Sequence, residues 1–133
     1  KIRYTFTPVS KVGKVGKSMD KAVVLKKGVT VKNLLSHEKD HYYKITVPEK
    51  SKVVLSINSK IAGAEWSNLA VQMNVKQGKK CRQIDKKGKL TPKESFYWYD
   101  IKGKDTLAYT LPQGTYYLRV FSFGSGYYTL KWN

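Results

Sequence analysis

Cysteine is nearly absent from this sequence, and long apolar runs are absent altogether. The 133 residues include a single cysteine, Cys81, so no internal disulfide framework can hold the fold together. Lys79, Lys80 and Arg82 flank it, and their positive charge is expected to lower the pKa of the thiol. The simpler interpretation is an incidental cysteine near a strand end. No stretch approaches the roughly 20 apolar residues of a membrane span, so none is predicted.

Acidic residues are also scarce, at 9 against 26 lysines and arginines, which gives a formal charge of +17. Such a surface attracts polyanions and speeds encounter with them. Arginine, the side chain suited to precise recognition of phosphate and guanine, occurs only at Arg3, Arg82 and Arg119. Charge carried by lysine predicts diffuse attraction to anionic polymers, or solubility alone. Nucleic acid is therefore a disfavoured partner.

The chain does contain enough apolar material for one core, with 41% hydrophobic and 13% aromatic residues. Its length suits one domain. We expect a monomeric single domain over residues 1–133, with an N-terminal strand and linker at 1–20 and a sandwich body at 21–133. The first residues lack the apolar region of a signal peptide, and the chain begins without Met. Both features are typical of a fragment of a longer protein.

Apolar residues alternate with polar ones at a period of two, the pattern of half-buried strands. The alternation predicts strands at 2–6, 22–25, 28–35, 42–47, 52–59, 69–75, 81–84, 96–101, 106–111, 115–123 and 127–132. Turn residues separate them at 48–51, 103–105, 112–114 and 124–126, and the last turn favours a hairpin between two aromatic strands. Since no amphipathic helix exceeds two turns, the predicted fold is all-β: an antiparallel β-sandwich, jelly-roll-like.

Two groups of motifs resemble a known family. They are Ala22-x-x-Leu25-x-x-Gly28 with Leu34 and Lys39-Asp40-His41-Tyr42-Tyr43-Lys44-Ile45-Thr46-Val47-Pro48, then Leu111-Pro112-x-Gly114-Thr115-Tyr116-Tyr117-Leu118-x-Val120 and Gly124-Ser125-Gly126-Tyr127-Tyr128-Thr129-Leu130. Over about residues 20–132 the chain is similar to the bacterial pre-peptidase C-terminal domain, whose relatives include the collagen-binding domains of clostridial collagenases. The resemblance implies a jelly-roll sandwich attached to a secreted peptidase or large surface protein. It also implies a non-catalytic role in folding, secretion or substrate attachment.

The resemblance does not extend to calcium. Collagen-binding members hold Ca²⁺ through carboxylates in the N-terminal linker, whereas residues 8–21 of this chain contain one acid, Asp20, and four lysines. A calcium ion takes about six to eight oxygen ligands. We therefore expect no metal and no cofactor.

His37, Glu38, Asp40 and His41 form the one cluster with acid–base or metal-binding potential. The two histidines would share a face of a helix, as zinc ligands can, but the segment leads into a predicted strand and no third ligand follows. Asp40 is expected to accept backbone N–H groups in the turn before that strand. Because no nucleophile with its base, no carboxylate pair and no phosphate-binding glycine loop occurs, an enzyme is not predicted.

Aromatic residues come in adjacent pairs, and neighbours on a strand point to opposite faces. The alternation assigns to the core Tyr43, Tyr116, Tyr128 and Leu130. It leaves outside, or beneath a covering loop, Tyr42, Tyr117, Phe121, Phe123 and Tyr127. Trp66 and Trp132 are expected at the edge of the core. With nearby cations, the outer rings define a candidate ligand-binding set: Tyr42, Lys44, Tyr117, Arg119, Phe121, Tyr127 and Lys131.

These features favour a non-catalytic accessory or adhesion module of a larger secreted or cell-surface bacterial protein. Its tyrosine- and lysine-rich face would contact an extracellular polymer, such as a matrix protein, a glycan or an anionic wall component. A structural spacer without a ligand is one alternative, and a carbohydrate-binding module is another.

Overall fold

The computed structural model describes residues 15–36, 39–62, 69–92 and 98–133, which form ten strands in two facing sheets. The strands are β1 (Val23–Val24), β2 (Val31–Leu35), β3 (His41–Val47), β4 (Ser51–Ala62), β5 (Leu69–Gln77), β6 (Lys80–Gln83), β7 (Tyr99–Ile101), β8 (Lys104–Leu111), β9 (Gly114–Phe121) and β10 (Ser125–Trp132). A short 3₁₀ turn, Met19–Lys21, precedes β1. The predicted all-β sandwich is confirmed.

The six-stranded sheet has the order β1-β3-β9-β5-β6, with β7 also paired to β5, and the four-stranded sheet has the order β2-β10-β4-β8. All pairs are antiparallel except β1 with β3. Successive strands mostly cross from one sheet to the other. In the described part of the chain, β5 and β6 are the one pair of consecutive strands that are hydrogen-bonded to each other.

The predicted hairpin at 124–126 is wrong. β9 lies in the six-stranded sheet and β10 in the four-stranded sheet, so the segment between them carries the chain across the sandwich. The turn occupies 122–124, where the Ser122 hydroxyl accepts the Gly124 N–H at 3.0 Å. Ser125 and Gly126 already belong to β10.

The core between the sheets confirms the alternation for the rings assigned to it. Tyr43 and Tyr128 are fully buried, Tyr116 is 5% exposed, and Leu130 is buried beside them. Trp132 is also buried, and its indole N–H donates to the Leu25 carbonyl at 2.7 Å. The predicted strand at 2–6, Trp66 and the pair His37 and Glu38 lie outside the described residues. No helix in the described ranges is long and apolar enough to cross a membrane.

A chain of buried polar groups joins the two sheets inside this core. Tyr128 of β10 lies 2.7 Å, oxygen to oxygen, from Tyr43 of β3, and its hydroxyl lies 2.7 Å from Nδ1 of His41. Asn33 of β2 donates its amide N–H to the Tyr43 hydroxyl. Because Asn33 donates to the Tyr43 hydroxyl, that hydroxyl can donate to Tyr128, and the Tyr128 hydroxyl can donate to Nδ1 of His41. A neutral imidazole accepts a hydrogen bond in this way.

Acid is expected to destabilise the fold through His41. Burial lowers its pKa from 6.5 to about 4, although nearby Asp40 acts in the opposite direction. Between those values the unfolded chain binds the proton more readily, so stability is lost as pH falls from 6.5 towards 4. We expect the free energy of unfolding to drop by on the order of 2 kcal/mol, after allowance for solvent screening. Urea titrations at several pH values measure it, and His41→Gln should flatten the profile; an unchanged slope would contradict the assignment.

Candidate functional site

The seven residues of the candidate ligand-binding set lie on opposite outer faces of the sandwich. The outer face of the six-stranded sheet carries Tyr42, Lys44, Tyr117, Arg119 and Phe121. Tyr127 and Lys131 are on β10, where they face outwards from the four-stranded sheet. One ligand cannot contact all seven at once, so the single tyrosine- and lysine-rich face expected from the sequence is two surfaces.

On the six-stranded sheet the outer face holds a groove of about 260 Å³. Strand pairing places Tyr42, Arg119 and Gln72 side by side in one row of its floor, and Asn74 follows in the next row, where its strand partner is Tyr117. Met19 and Pro92, from the segments at either side, line its walls. The groove therefore runs across three central strands, β3, β9 and β5.

Arg119 is the charged centre of the floor, and Asp40 neutralises it. Oδ2 of Asp40 accepts from Nε of Arg119 at 2.7 Å and lies 2.6 Å from Nη2, with both side chains about three-quarters buried. The Tyr42 hydroxyl donates to the same carboxylate at 3.3 Å. Asp40 was expected to accept backbone N–H groups, but it instead holds a guanidinium 79 residues away, because β9 pairs with β3 directly beside it.

Two amides complete the floor, and sequence reasoning did not select them as site residues. Gln72 and Asn74, both 4% exposed, lie on the outer face of β5. Gln72 Oε1 accepts from Nη1 of Arg119 at 3.3 Å, and Asn74 donates to the Tyr117 carbonyl at 3.4 Å. Their signal in the sequence is a pair of amides two residues apart, at the outward positions of a strand whose inward positions are apolar.

Tyr117 and Phe121, at 8% and 6% exposed, present little open ring to a ligand. The ammonium of Lys76 covers the Tyr117 ring at 5.1 Å, while Trp98 packs edge-on against Phe121 at 5.6 Å. Of the outer aromatic residues, Phe123 and Tyr127 are exposed, at 45% and 39%. The aromatic surface on the six-stranded sheet is therefore largely closed by its own neighbours.

Cys81 lines the groove next to Gln83 and is partly exposed. Burial raises the pKa of its thiol, with Lys76 opposing this and Asp20 adding to it. The expected lowering of the thiol pKa by the flanking cations is wrong. The cation that does act on the thiol, Lys76, is paired with Asp20 at 3.1 Å, and Asp20 acts in the opposite direction.

Comparison by sequence found no relative: no family model matches the chain, and no curated protein matches it either. Among the described residues, no group of three or more His, Cys, Asp or Glu side chains lies close enough together to hold a metal ion.

Solved structures identify the fold as a two-sheet sandwich of the pre-peptidase C-terminal type. The chain is similar to the crystal structure of the pre-peptidase C-terminal domain of a collagenase from Bacillus anthracis, with a TM-score of 0.54 and 14% sequence identity. The alignment covers 84% of this chain and 94% of that domain. The resemblance found in the sequence motifs is thus confirmed at the level of the fold.

Proposed function

We propose that the chain is a non-catalytic accessory module of a secreted or cell-surface protein, and that it binds a neutral glycan chain in the groove of the six-stranded sheet. The fold supports the first part, because it is shared with a domain attached to a collagenase. The groove supports the second, because most of the side chains that line it carry hydrogen-bonding groups.

The observation that carries the proposal is the amide-rich lining of the groove, to which Gln72, Asn74 and Gln83 contribute. Asp40 pairs with Arg119, and Arg82, which also lines the groove, keeps its charge but is held by a hydrogen bond to the Thr91 carbonyl at 2.6 Å. A planar amide carries a donor and an acceptor in fixed geometry, which suits neighbouring hydroxyls of a sugar ring. The volume is slightly below the roughly 300 Å³ at which small-molecule pockets begin. It therefore suits one ring of a chain lying across the sheet.

Replacing Gln72 by Met tests the groove, because Met fills similar volume without hydrogen bonds. We expect about tenfold weaker binding to a neutral oligosaccharide selected from a glycan panel, the loss of one or two hydrogen bonds. Isothermal titration calorimetry measures it. Gln77→Met is the matched control, since Gln77 lies exposed on the same strand beyond the groove and should bind like the parent chain.

The native Cys81 supplies a second readout that needs no mutation. A glycan in the groove should slow its alkylation by iodoacetamide. If no glycan in the panel binds, or if binding leaves the alkylation rate unchanged, the groove proposal fails. A domain that ignores glycans, collagen and wall polymers alike would be the structural spacer.

A further inference from the structure

The outer face of the four-stranded sheet carries four lysines arranged around two polar residues. Strand pairing aligns Lys32, Thr129, Asn58 and Lys104 in one row across β2, β10, β4 and β8. Lys131 and Lys60 lie two residues beyond Thr129 and Asn58 on their own strands, in opposite directions across the sheet. We call Lys32, Lys60, Lys104 and Lys131, with Thr129 and Asn58 between them, the lysine face.

The spacing follows from sheet geometry. Neighbouring strands are about 4.8 Å apart, and residues two apart on one strand are about 6.8 Å apart. Each lysine therefore emerges within about 7 Å of Thr129 or Asn58, and the four surround these two residues. An open depression of about 540 Å³ lies here, and Ser56, Thr106 and Thr129 are among the residues lining it.

Charge at this surface is unbalanced. Asp105 is the one carboxylate lining the depression in the described part of the chain. Lys60, Lys104 and Lys131 have no ion-pair partner among the described residues, and the ammonium of Lys32 lies over the Tyr127 ring at 4.8 Å. Four like charges at this spacing repel one another, so a multivalent anion that bridges them is favoured.

From this arrangement we propose that the lysine face binds an acidic polysaccharide. Carboxylate groups along such a chain would pair with the lysines, while Thr129, Ser56 and Asn58 would hydrogen-bond its hydroxyls. The site is separate from the groove and does not depend on it, because the two surfaces lie on opposite sides of the sandwich.

Nucleic acid and membrane fit this surface less well. Among the described residues, Tyr127 is the one exposed ring beside it on which a base could stack. Leu34, beside Tyr127, is the large apolar side chain exposed at its edge, which is too little to insert into a bilayer. Hydroxyl and amide groups instead occupy the centre of the face.

The test measures affinity for polygalacturonate, with neutral dextran, single-stranded oligothymidylate and phosphatidylglycerol vesicles as comparisons. We expect polygalacturonate to bind best at about 50 mM salt and to weaken strongly by about 200 mM. The variant Lys60→Gln/Lys104→Gln should lose about tenfold in affinity. The control Lys50→Gln/Lys87→Gln removes the same charge from exposed sites off this face and should lose less than about twofold.

Thr129→Val keeps a β-branched side chain and removes only the hydroxyl, so we expect about threefold weaker binding with unchanged melting. Equal losses in both lysine pairs would show that attraction is diffuse and would overturn the site. Tighter binding of oligothymidylate or vesicles would overturn the ligand class. Gln72→Met should leave polygalacturonate binding unchanged, so the lysine face and the groove can fail separately.

Discussion

Replacing Gly126 by Ala is expected to cost about 3 kcal/mol or more of the free energy of unfolding. Gly126 lies in β10, with Leu35 of β2 on one side and Ile61 of β4 on the other. The backbone of a neighbouring strand therefore flanks it on each side. A Cβ at this position would lie 1.9 Å from the Lys60 carbonyl oxygen and 2.9 Å from the Ile61 Cα. No side-chain rotation relieves such a contact. The strands must separate, and the hydrogen bonds between β10 and β4 weaken with them.

Gly78→Ala is the matched control for this prediction. Gly78, between β5 and β6, has a φ of +64°, and an added Cβ would meet no atom within 4 Å. Its cost is conformational strain alone, about 1–2 kcal/mol. Urea denaturation with both variants separates the two effects. If Gly126→Ala costs no more than Gly78→Ala, the close approach at β10 is wrong.

The same glycine shows where sequence reasoning about the fold stops. Turn residues at 124–126 and aromatic alternation on either side correctly predict a chain reversal and two strands. They are equally compatible with a hairpin and with a crossing between sheets, because a period of two identifies the buried face of each strand and not its sheet. Pairing partners such as β9 with β3 are set by packing across the whole core, which no short segment contains.

Prediction of the candidate site from the sequence was limited by the same lack of information on strand pairing. Alternation placed Tyr42 and Arg119 outside correctly, and it did the same for Tyr127 and Lys131, yet it could not show that the two pairs face opposite directions. Local context was also insufficient for Asp40, whose main partner is 79 residues distant. Only the pairing of β3 with β9 brings that carboxylate and guanidinium together.

Because the two candidate surfaces lie on opposite faces, the effect of the net charge of +17 has to be considered for each face separately. On the six-stranded sheet, Arg119 and Lys76 are each paired with an aspartate. On the four-stranded sheet, Lys60, Lys104 and Lys131 have no ion-pair partner among the described residues. Attraction to polyanions and recognition of neutral polymers are therefore expected on different faces of the sandwich.

Tyr128→Phe should cost about 3 kcal/mol, although it removes only one oxygen atom. The Tyr128 hydroxyl lies 2.7 Å from both the Tyr43 hydroxyl and Nδ1 of His41, and all three residues are buried. Without it, His41 loses its donor and Tyr43 loses its acceptor inside the core. Each unsatisfied buried group costs about 1–3 kcal/mol, which makes the loss larger than that of a single hydrogen bond.

Tyr116→Phe provides the comparison, since its hydroxyl donates one hydrogen bond, at 2.8 Å, to the carbonyl of Pro112, an exposed residue. Water can replace that donor, so the expected cost is about 1 kcal/mol. The difference between the two Tyr→Phe variants, measured by urea denaturation at pH 7, isolates the effect of burial. Equal costs would mean that the polar chain from Asn33 to His41 relaxes when it is broken. A larger cost for Tyr128→Phe would show that the buried hydrogen bonds between the two sheets stabilise the fold.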